Sequence, residues 1–381
     1  MYDSLFVVCL IWVFFVYIGY PLLLALITLI IDRTPSKQTY VPDVTIIIPA
    51  YNESTSISET ITNKLNLNYP DNKLEIIVVS DESDDGTDEI VEQYKARGVK
   101  LIRQVPRKGK TSALNLAVPQ ASGEIVVFSD ANSIYDENAL NYLLENFHDD
   151  KVGYVTGKMI YTNPNGVVIG DGCGAYMRYE NYVRHVETKL NSVVGVDGGI
   201  DAIRKDIYQP MNADQLPDFV LPLSVIEQGY RVVYEERALL KEEALSDAAT
   251  EFRMRVRVSL RAFWALWDKR KLFNPFNFPV FSLELLFHKL LRYLVFIPQV
   301  LLVILNIMLF DTSEIYQVMM FLQVVFYIFS FVGYISEKKG INVSSLFSLP
   351  YYLVVVNFAA AQSFLLFLRG KKVVLWKPRS G

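Results

Sequence analysis

Leu74-Glu-Ile-Ile-Val-Val-Ser80, running directly into Asp81-Glu-Ser-Asp-Asp85-Gly-Thr87, is the stretch whose reading decides the fold. A short run this rich in Ile and Val reads as a strand covered on both faces, the habit of parallel sheets. The pattern recurs twice. Val44-Thr-Ile-Ile-Ile-Pro49 opens into Ala50-Tyr-Asn-Glu53, and Glu124-Ile-Val-Val-Phe-Ser129 opens into Asp130-Ala-Asn132. A buried sheet has no structural need for acidic clusters at one edge. The carboxyl ends of such strands are where open α/β sheets bind nucleotides and ions, so the pattern points to a metal and a diphosphate.

Between these strands the sequence has helical spacing. Ser54 to Leu65 can be capped by Ser54, Thr55 or Ser56, and Thr87 can cap a helix over 88–97 that Gly98 ends. A strand over 99–103 leads to Pro106-Arg-Lys-Gly-Lys110, and a helix over 111–118 precedes the strand at Glu124. This alternation predicts an α/β class with a mostly parallel sheet and right-handed crossovers. Further on, strands are expected over 152–161 and 230–234. Helices are expected over 176–190, from Asp218 to Gln228, and over 250–267.

The 381 residues carry a net charge of −4, which excludes general nucleic-acid binding through a basic face. The two cysteines, Cys9 and Cys173, offer no disulfide framework, and with three scattered histidines they offer no zinc site. Ser4 to Ile31 is uncharged, and at ~1.5 Å per residue it exceeds the ~30 Å hydrocarbon core. Its acidic start, Met1-Tyr-Asp3, and its length favour a retained anchor over a cleaved signal peptide. Apolar segments also cover about 290–310, 316–335 and 346–368. Asp3 before the first span, and Arg33 and Lys37 after it, place the following domain in the cytoplasm under the positive-inside rule. The basic tail Arg369-Gly-Lys-Lys372 conflicts with three further crossings. Either 345–368 folds back or 273–286 also enters the bilayer. The resulting division is an anchor over 1–34, a cytoplasmic domain over 42–270, and an interfacial segment with membrane helices over 271–381.

An ordered set of motifs then stands out: Pro49-Ala-Tyr-Asn-Glu53, Asp81 with Asp85-Gly-Thr87, Lys108-Gly-Lys110 with Leu114-Asn115, Asp130-Ala-Asn132, Gly198-Gly199, and Asp218-Phe-Val-Leu-Pro222. In this order and spacing, over about residues 42 to 270, the chain resembles the membrane-bound family 2 inverting glycosyltransferases. That group includes cellulose, chitin and hyaluronan synthases and many exopolysaccharide enzymes. The resemblance implies a GT-A-type nucleotide-sugar-binding domain flanked by transmembrane helices in a cell membrane. It also implies that Asn52, Glu53, Asp81 and Asp85 line the nucleotide end of the pocket, with Asp81 on the base.

The residues themselves support a division of labour. Asp130 and Asn132 lie two apart, so on an extended chain both face the same way and suit an octahedral Mg²⁺ or Mn²⁺ completed by diphosphate oxygens and water. They stand where the family often has Asp-x-Asp. Arg107, Lys108 and Lys110 precede a helix start, a place suited to phosphate, and the family match favours Lys110. Asp218, between Pro217 and an apolar run, is the expected general base, since partial burial raises a carboxyl toward a useful range. Arg253, Arg257 and Arg261 recur every four residues and form a face for the departing diphosphate or for lipid headgroups.

The expected activity is transfer from a nucleotide sugar, UDP-linked, to a lipid-linked or polysaccharide acceptor at the cytoplasmic membrane face. Two alternatives stay within the class. One is transfer onto a polyprenyl phosphate, and the other is a processive synthase. The polysaccharide synthases' Gln-x-x-Arg-Trp segment is missing here, since Trp264 lies three residues after Arg261. A transporter or scaffold is the distant alternative, disfavoured by few, non-repeating and mostly apolar spans.

Overall fold

A computed structural model describes residues 1–162, 168–243 and 248–373. Its centre is one mixed sheet. The strands are β1 (Val44–Ala50), β2 (Leu74–Ser80), β3 (Val99–Arg103), β4 (Ile125–Ser129), β5 (Ile134–Tyr135), β6 (Val152–Thr162), β7 (Ile200–Arg204) and β8 (Arg231–Glu243), in the order β3-β2-β1-β4-β7-β6-β8-β5. The first half is the predicted parallel array: β2 and β4 flank β1, and β3 flanks β2. β7 then enters antiparallel to both its neighbours, and β5 pairs antiparallel with β8. The sheet is therefore mostly parallel but mixed.

The β-branched runs explain why these segments are central strands. Ile47, Ile77, Val79 and Val126 pack into one layer, while Ile46, Ile48, Val78 and Val127 pack into the other. Each fully buried Ile or Val contributes roughly 1.5–3 kcal/mol, so both faces of the strand are held. The chain goes from β1 outward to β2 and β3, then returns to lay β4 on the other side of β1. That reversal is a topological switch point, and it leaves a crevice between the carboxyl ends of β1 and β4.

A long helix, Val168–Leu190, begins eight residues before the predicted 176. Glycines at 170, 172 and 174 hid its start, because Gly is a poor helix former. Packing pays for at least one of them. A Cβ on Gly172 would lie 2.6 Å from Tyr352 Cβ and 2.8 Å from Ser348 O, so only Gly lets these helices touch. β8 likewise extends well past the predicted 234.

Among the described residues three helices, Tyr2–Thr28, Glu314–Lys339 and Ser345–Leu368, are long and apolar enough to cross a membrane. A bent pair, Phe281–Tyr293 and Phe296–Leu309, makes a possible fourth span broken by 56°. The Tyr316 hydroxyl donates to Asp3 at 2.9 Å, which marks the end remote from the α/β unit. At the other end Arg33 N donates to Lys189 O, and Ile169 N donates to Glu337 Oε2. Helix 345–368 packs along helix Ala248–Asp268 instead of running to the remote end. Tyr352 meets Arg255 and Glu251, Ser363 Oγ donates to Val256 O, and Phe367 packs on Phe263 and Trp264. Lys372 then reaches Asp214 at 2.5 Å. Lys372 of the basic tail thus lies beside the α/β unit.

Candidate active site

The crevice at the switch point is a cleft of about 300 Å³. Pro49, Ala50, Tyr51 and Glu53 line it from the end of β1, Asp81 from the end of β2, and Asp130 to Asn132 from the end of β4. Lys110, Asp218, Arg257 and Arg261 close it from the helical side. Asp81, Asp130 and Asp218 thus share one cleft.

Lys110 is its electrostatic centre. It opens the helix Lys110–Ala117, and its ammonium lies 2.7 Å from Asp130 Oδ1 and 3.4 Å from Asp218 Oδ1. Burial would lower its pKa, but Asp130 and Asp218 outweigh that and raise it, so the ammonium stays charged. Asp218 lies in the first turn of the helix Pro217–Glu227. Burial pushes its carboxyl above the ordinary range, against the pull of Lys110 and with help from Asp130.

Gly198 presses on this carboxyl from the other side. Its φ is +87°, and a Cβ there would lie 2.2 Å from Asp218 Cγ, so both backbone and space require glycine. The loop carrying Gly198 is held by a buried bidentate pair. Arg184 donates to both oxygens of Asp197 at 2.5 and 2.6 Å, and through Nε to Gly195 O at 3.0 Å.

Asp81 is buried, and the following loop closes over it. Lys108 N and Gly109 N donate to it at 2.9 and 2.8 Å, as does the Gln104 side chain. Arg107 lies 3.6 Å from it and stacks 3.3 Å above the Tyr51 ring. Asp81 therefore sets the shape of the basic loop as well as bordering the cleft. Glu53 borders the cleft, and its carboxylate accepts from Ser56 Oγ at 2.8 Å.

Asn52 and Asp85 lie behind the lining, although the resemblance implied that they line the nucleotide end of the pocket. Asn52, at φ 54°, exchanges two hydrogen bonds with Asp84, joining the loops after β1 and β2. Asp85 accepts from Ser54 N and from Thr87 N and Oγ1. These bonds outweigh its partial burial and lower its pKa. Both residues serve the turn chemistry that Asx side chains do well. Arg253, expected on the nucleotide sugar, is not among the residues that line the cleft. It is exposed and donates to Thr250 Oγ1 at 2.8 Å, outside the cleft. A four-residue step advances about 40° around a helix, so two steps from Arg261 carry it off the shared face. Arg257 stays on that face, and Arg261 braces the loop before Asp218 through Gln215 O and Thr111.

Asp130 and Asn132 both open to the cleft, and among the described residues no third Asp, Glu, His or Cys joins them as a metal cluster. Two oxygen donors fit Mg²⁺ or Mn²⁺, which keep waters and take phosphate oxygens, and do not fit a dedicated zinc site.

Residues 45–211 match the family model described as Glycosyl transferase family 2. Residues 45–211 thus carry a family 2 glycosyltransferase domain. A poly-β-1,6-N-acetyl-D-glucosamine synthase of Staphylococcus aureus is 30% identical over 202 residues, 51% of this chain and 48% of that protein. The Staphylococcus epidermidis protein of the same name is 26% identical over 250 residues, 62% and 60% of the two chains. The chain thus spans about half the length of the S. aureus relative it matches. A mannosyltransferase from Pyrobaculum calidifontis, solved with GDP-mannose and Mn²⁺, has a similar fold at TM-score 0.72 and 19% identity. The match covers 96% of this chain and 99% of that one. The family 2 domain is thus a GT-A-type fold with apolar helices packed on it.

One group in the family 2 domain carries no signal in the sequence. Asp201, on β7, is 1% exposed, and neither carboxylate oxygen has a hydrogen-bond partner of good geometry. Burial, helped by Asp218 and Asp197 and opposed by Thr156 and Lys110, pushes its pKa up to about 8. A raised folded-state pKa gives stability that is full below the unfolded value of 3.8 and lost as pH rises toward 8. Asp201→Asn is therefore expected to flatten the melting temperature between about pH 5 and pH 8.5 and to stabilise the protein at the upper end by a few kcal/mol, at ~1.4 kcal/mol per unit. Thermal melts in detergent across that range check it. An unchanged pH slope would contradict a neutral Asp201.

Proposed function

We propose that the protein is an inverting glycosyltransferase. It moves a sugar from a UDP-linked nucleotide sugar to a lipid-linked or polysaccharide acceptor at the cytoplasmic face of the cell membrane, with residues 42–270 as the catalytic unit between the anchor and the later helices. The observation that carries this reading is the convergence of Asp81, Asp130 and Asp218 on one switch-point cleft, with Lys110 between the last two.

In this reading the diphosphate lies across Lys110 and Arg257, and the sugar's anomeric carbon faces Asp218. An acceptor hydroxyl attacks that carbon in line while Asp218 takes its proton. The nucleoside diphosphate leaves from the opposite face, so one displacement inverts the configuration. Lys110 and Arg257 stabilise the charge that develops on the leaving oxygen, a contribution usually larger than that of the base. Mg²⁺ or Mn²⁺, held by Asp130 and Asn132, would add Lewis-acid stabilisation there.

Charge supports the proposed orientation. Asp3 lies at the remote end, while Arg33, Lys37 and Lys372 lie with the α/β unit, as the positive-inside rule expects of a cytoplasmic domain. The staphylococcal relatives' name supports UDP-N-acetylglucosamine as the first donor to try.

The test is a screen of radiolabelled UDP- and GDP-sugars with membranes containing the protein. The expected result is transfer to a lipid or polymer fraction that falls at least about a hundredfold with EDTA and returns with Mg²⁺ or Mn²⁺. Transfer unaffected by chelation would remove the metal from the scheme, and no transfer from any donor would reject the enzyme reading.

A further inference from the structure

The Lys110 ammonium contacts Asp130 Oδ1, Asp218 Oδ1 and Gly198 O together, the first at 2.7 Å and the others at 3.4 Å. One cation therefore covers two carboxylates to which the proposed reaction gives different work. Asp130 is to hold a divalent ion, and Asp218 is to receive a proton. An ammonium on Asp130 opposes the settling of a doubly charged ion on the same carboxylate, because like charges a few ångströms apart repel by several kcal/mol outside bulk water.

Of the three groups, only the lysine is free to yield. Asp218 is wedged against Gly198, whose Cα leaves no room for even a methyl group. Asp130 directly follows β4 in the centre of the sheet. Lys110 carries its charge on a flexible four-carbon stem, with its backbone fixed at the start of a helix.

We propose that Lys110 is a positioning residue with two stations: without donor it holds the cation place on Asp130 and screens Asp218, and the arriving diphosphate with its metal draws it off both. This rests on the nucleotide-sugar reading above. The consequence is coupling. Metal alone binds weakly because it must displace an ammonium, and Asp218 becomes an unscreened base only once a donor is in place.

The experiment is a Mn²⁺ titration by electron paramagnetic resonance on the full chain in detergent, with and without UDP or GDP, for wild type, Lys110→Gln, Lys110→Met and Lys110→Arg. Thermal melts confirm folding of each. Without nucleotide, the Gln and Met variants are expected to bind Mn²⁺ about tenfold more tightly than wild type, and the Arg variant about as wild type does. With nucleotide the order reverses, because the neutral variants lose a phosphate contact. A neutral variant that folds, yet binds Mn²⁺ alone no better than wild type, overturns the two-station proposal. If wild type binds neither nucleotide, the donor reading fails first and takes this proposal with it. Normal nucleotide binding with unchanged Mn²⁺ affinity in the variants overturns the two-station proposal alone.

Discussion

Asp218→Asn is expected to lower kcat about a thousandfold while nucleotide affinity stays within about twofold, the size that loss of a general base usually has. The substitution keeps shape and removes only the ability to take a proton. The site favours this role for Asp218 over Asp130. Burial raises the Asp218 carboxyl, whereas Asp130 holds the closer contact with Lys110. Single-turnover assays with labelled donor separate the chemical step from binding. The outcome also divides the acceptor classes. A hydroxyl acceptor must lose its proton, whereas a polyprenyl phosphate oxygen is already ionised and needs no base. Turnover within about threefold of wild type would reject the hydroxyl acceptor and favour the phosphate one.

Gly198→Ala is expected to reduce activity at least about a hundredfold, since displacement of a reacting group by about 1 Å is enough for that. It is also expected to cost about 2–4 kcal/mol of stability, from a strained φ together with overpacking. The added carbon would overlap the Asp218 carboxyl at 2.2–2.7 Å, and Asp218 is a group that must not shift. Gly229→Ala is the control. Its φ of +89° imposes similar backbone strain, but nothing lies within 4 Å of the new carbon. That variant should lose roughly 1 kcal/mol and keep its activity. Equal losses in the two variants would show that the space beside Asp218 is unimportant.

What could be read from the chain alone follows from which forces are local. The Ile-Val runs at 44–50, 74–80 and 125–129 announce buried parallel strands because period and composition suffice, and the acidic turns after them mark the sheet edge. Features set by tertiary contact were not legible. The helix from Val168 runs through glycines that only the approach of Tyr352 explains. β7 carries no sign of its direction, so the antiparallel half of the sheet stayed hidden. Asn52 and Asp85 looked like ligands because the turn uses the same residue types that a binding site would. Arg253 looked like a neighbour of Arg257 because helical spacing says nothing about where a cleft ends. Asp201 was invisible for the opposite reason: one acidic residue in a strand reads as solvent-facing until its neighbours are known.

The paired Arg184 and Asp197 carry a last consequence. Both side chains are at least nine-tenths buried, and together they hold the loop that delivers Gly198 to Asp218. Exposed ion pairs weaken as the Debye length falls to ~8 Å at physiological ionic strength and ~3 Å at 1 M, while buried pairs are largely sheltered. In brine the scaffold around Asp218 should therefore hold its shape while attraction between the basic residues and a diphosphate fades. A rise in KM with steady kcat as potassium chloride is added would be the mark of that separation between framework and grip.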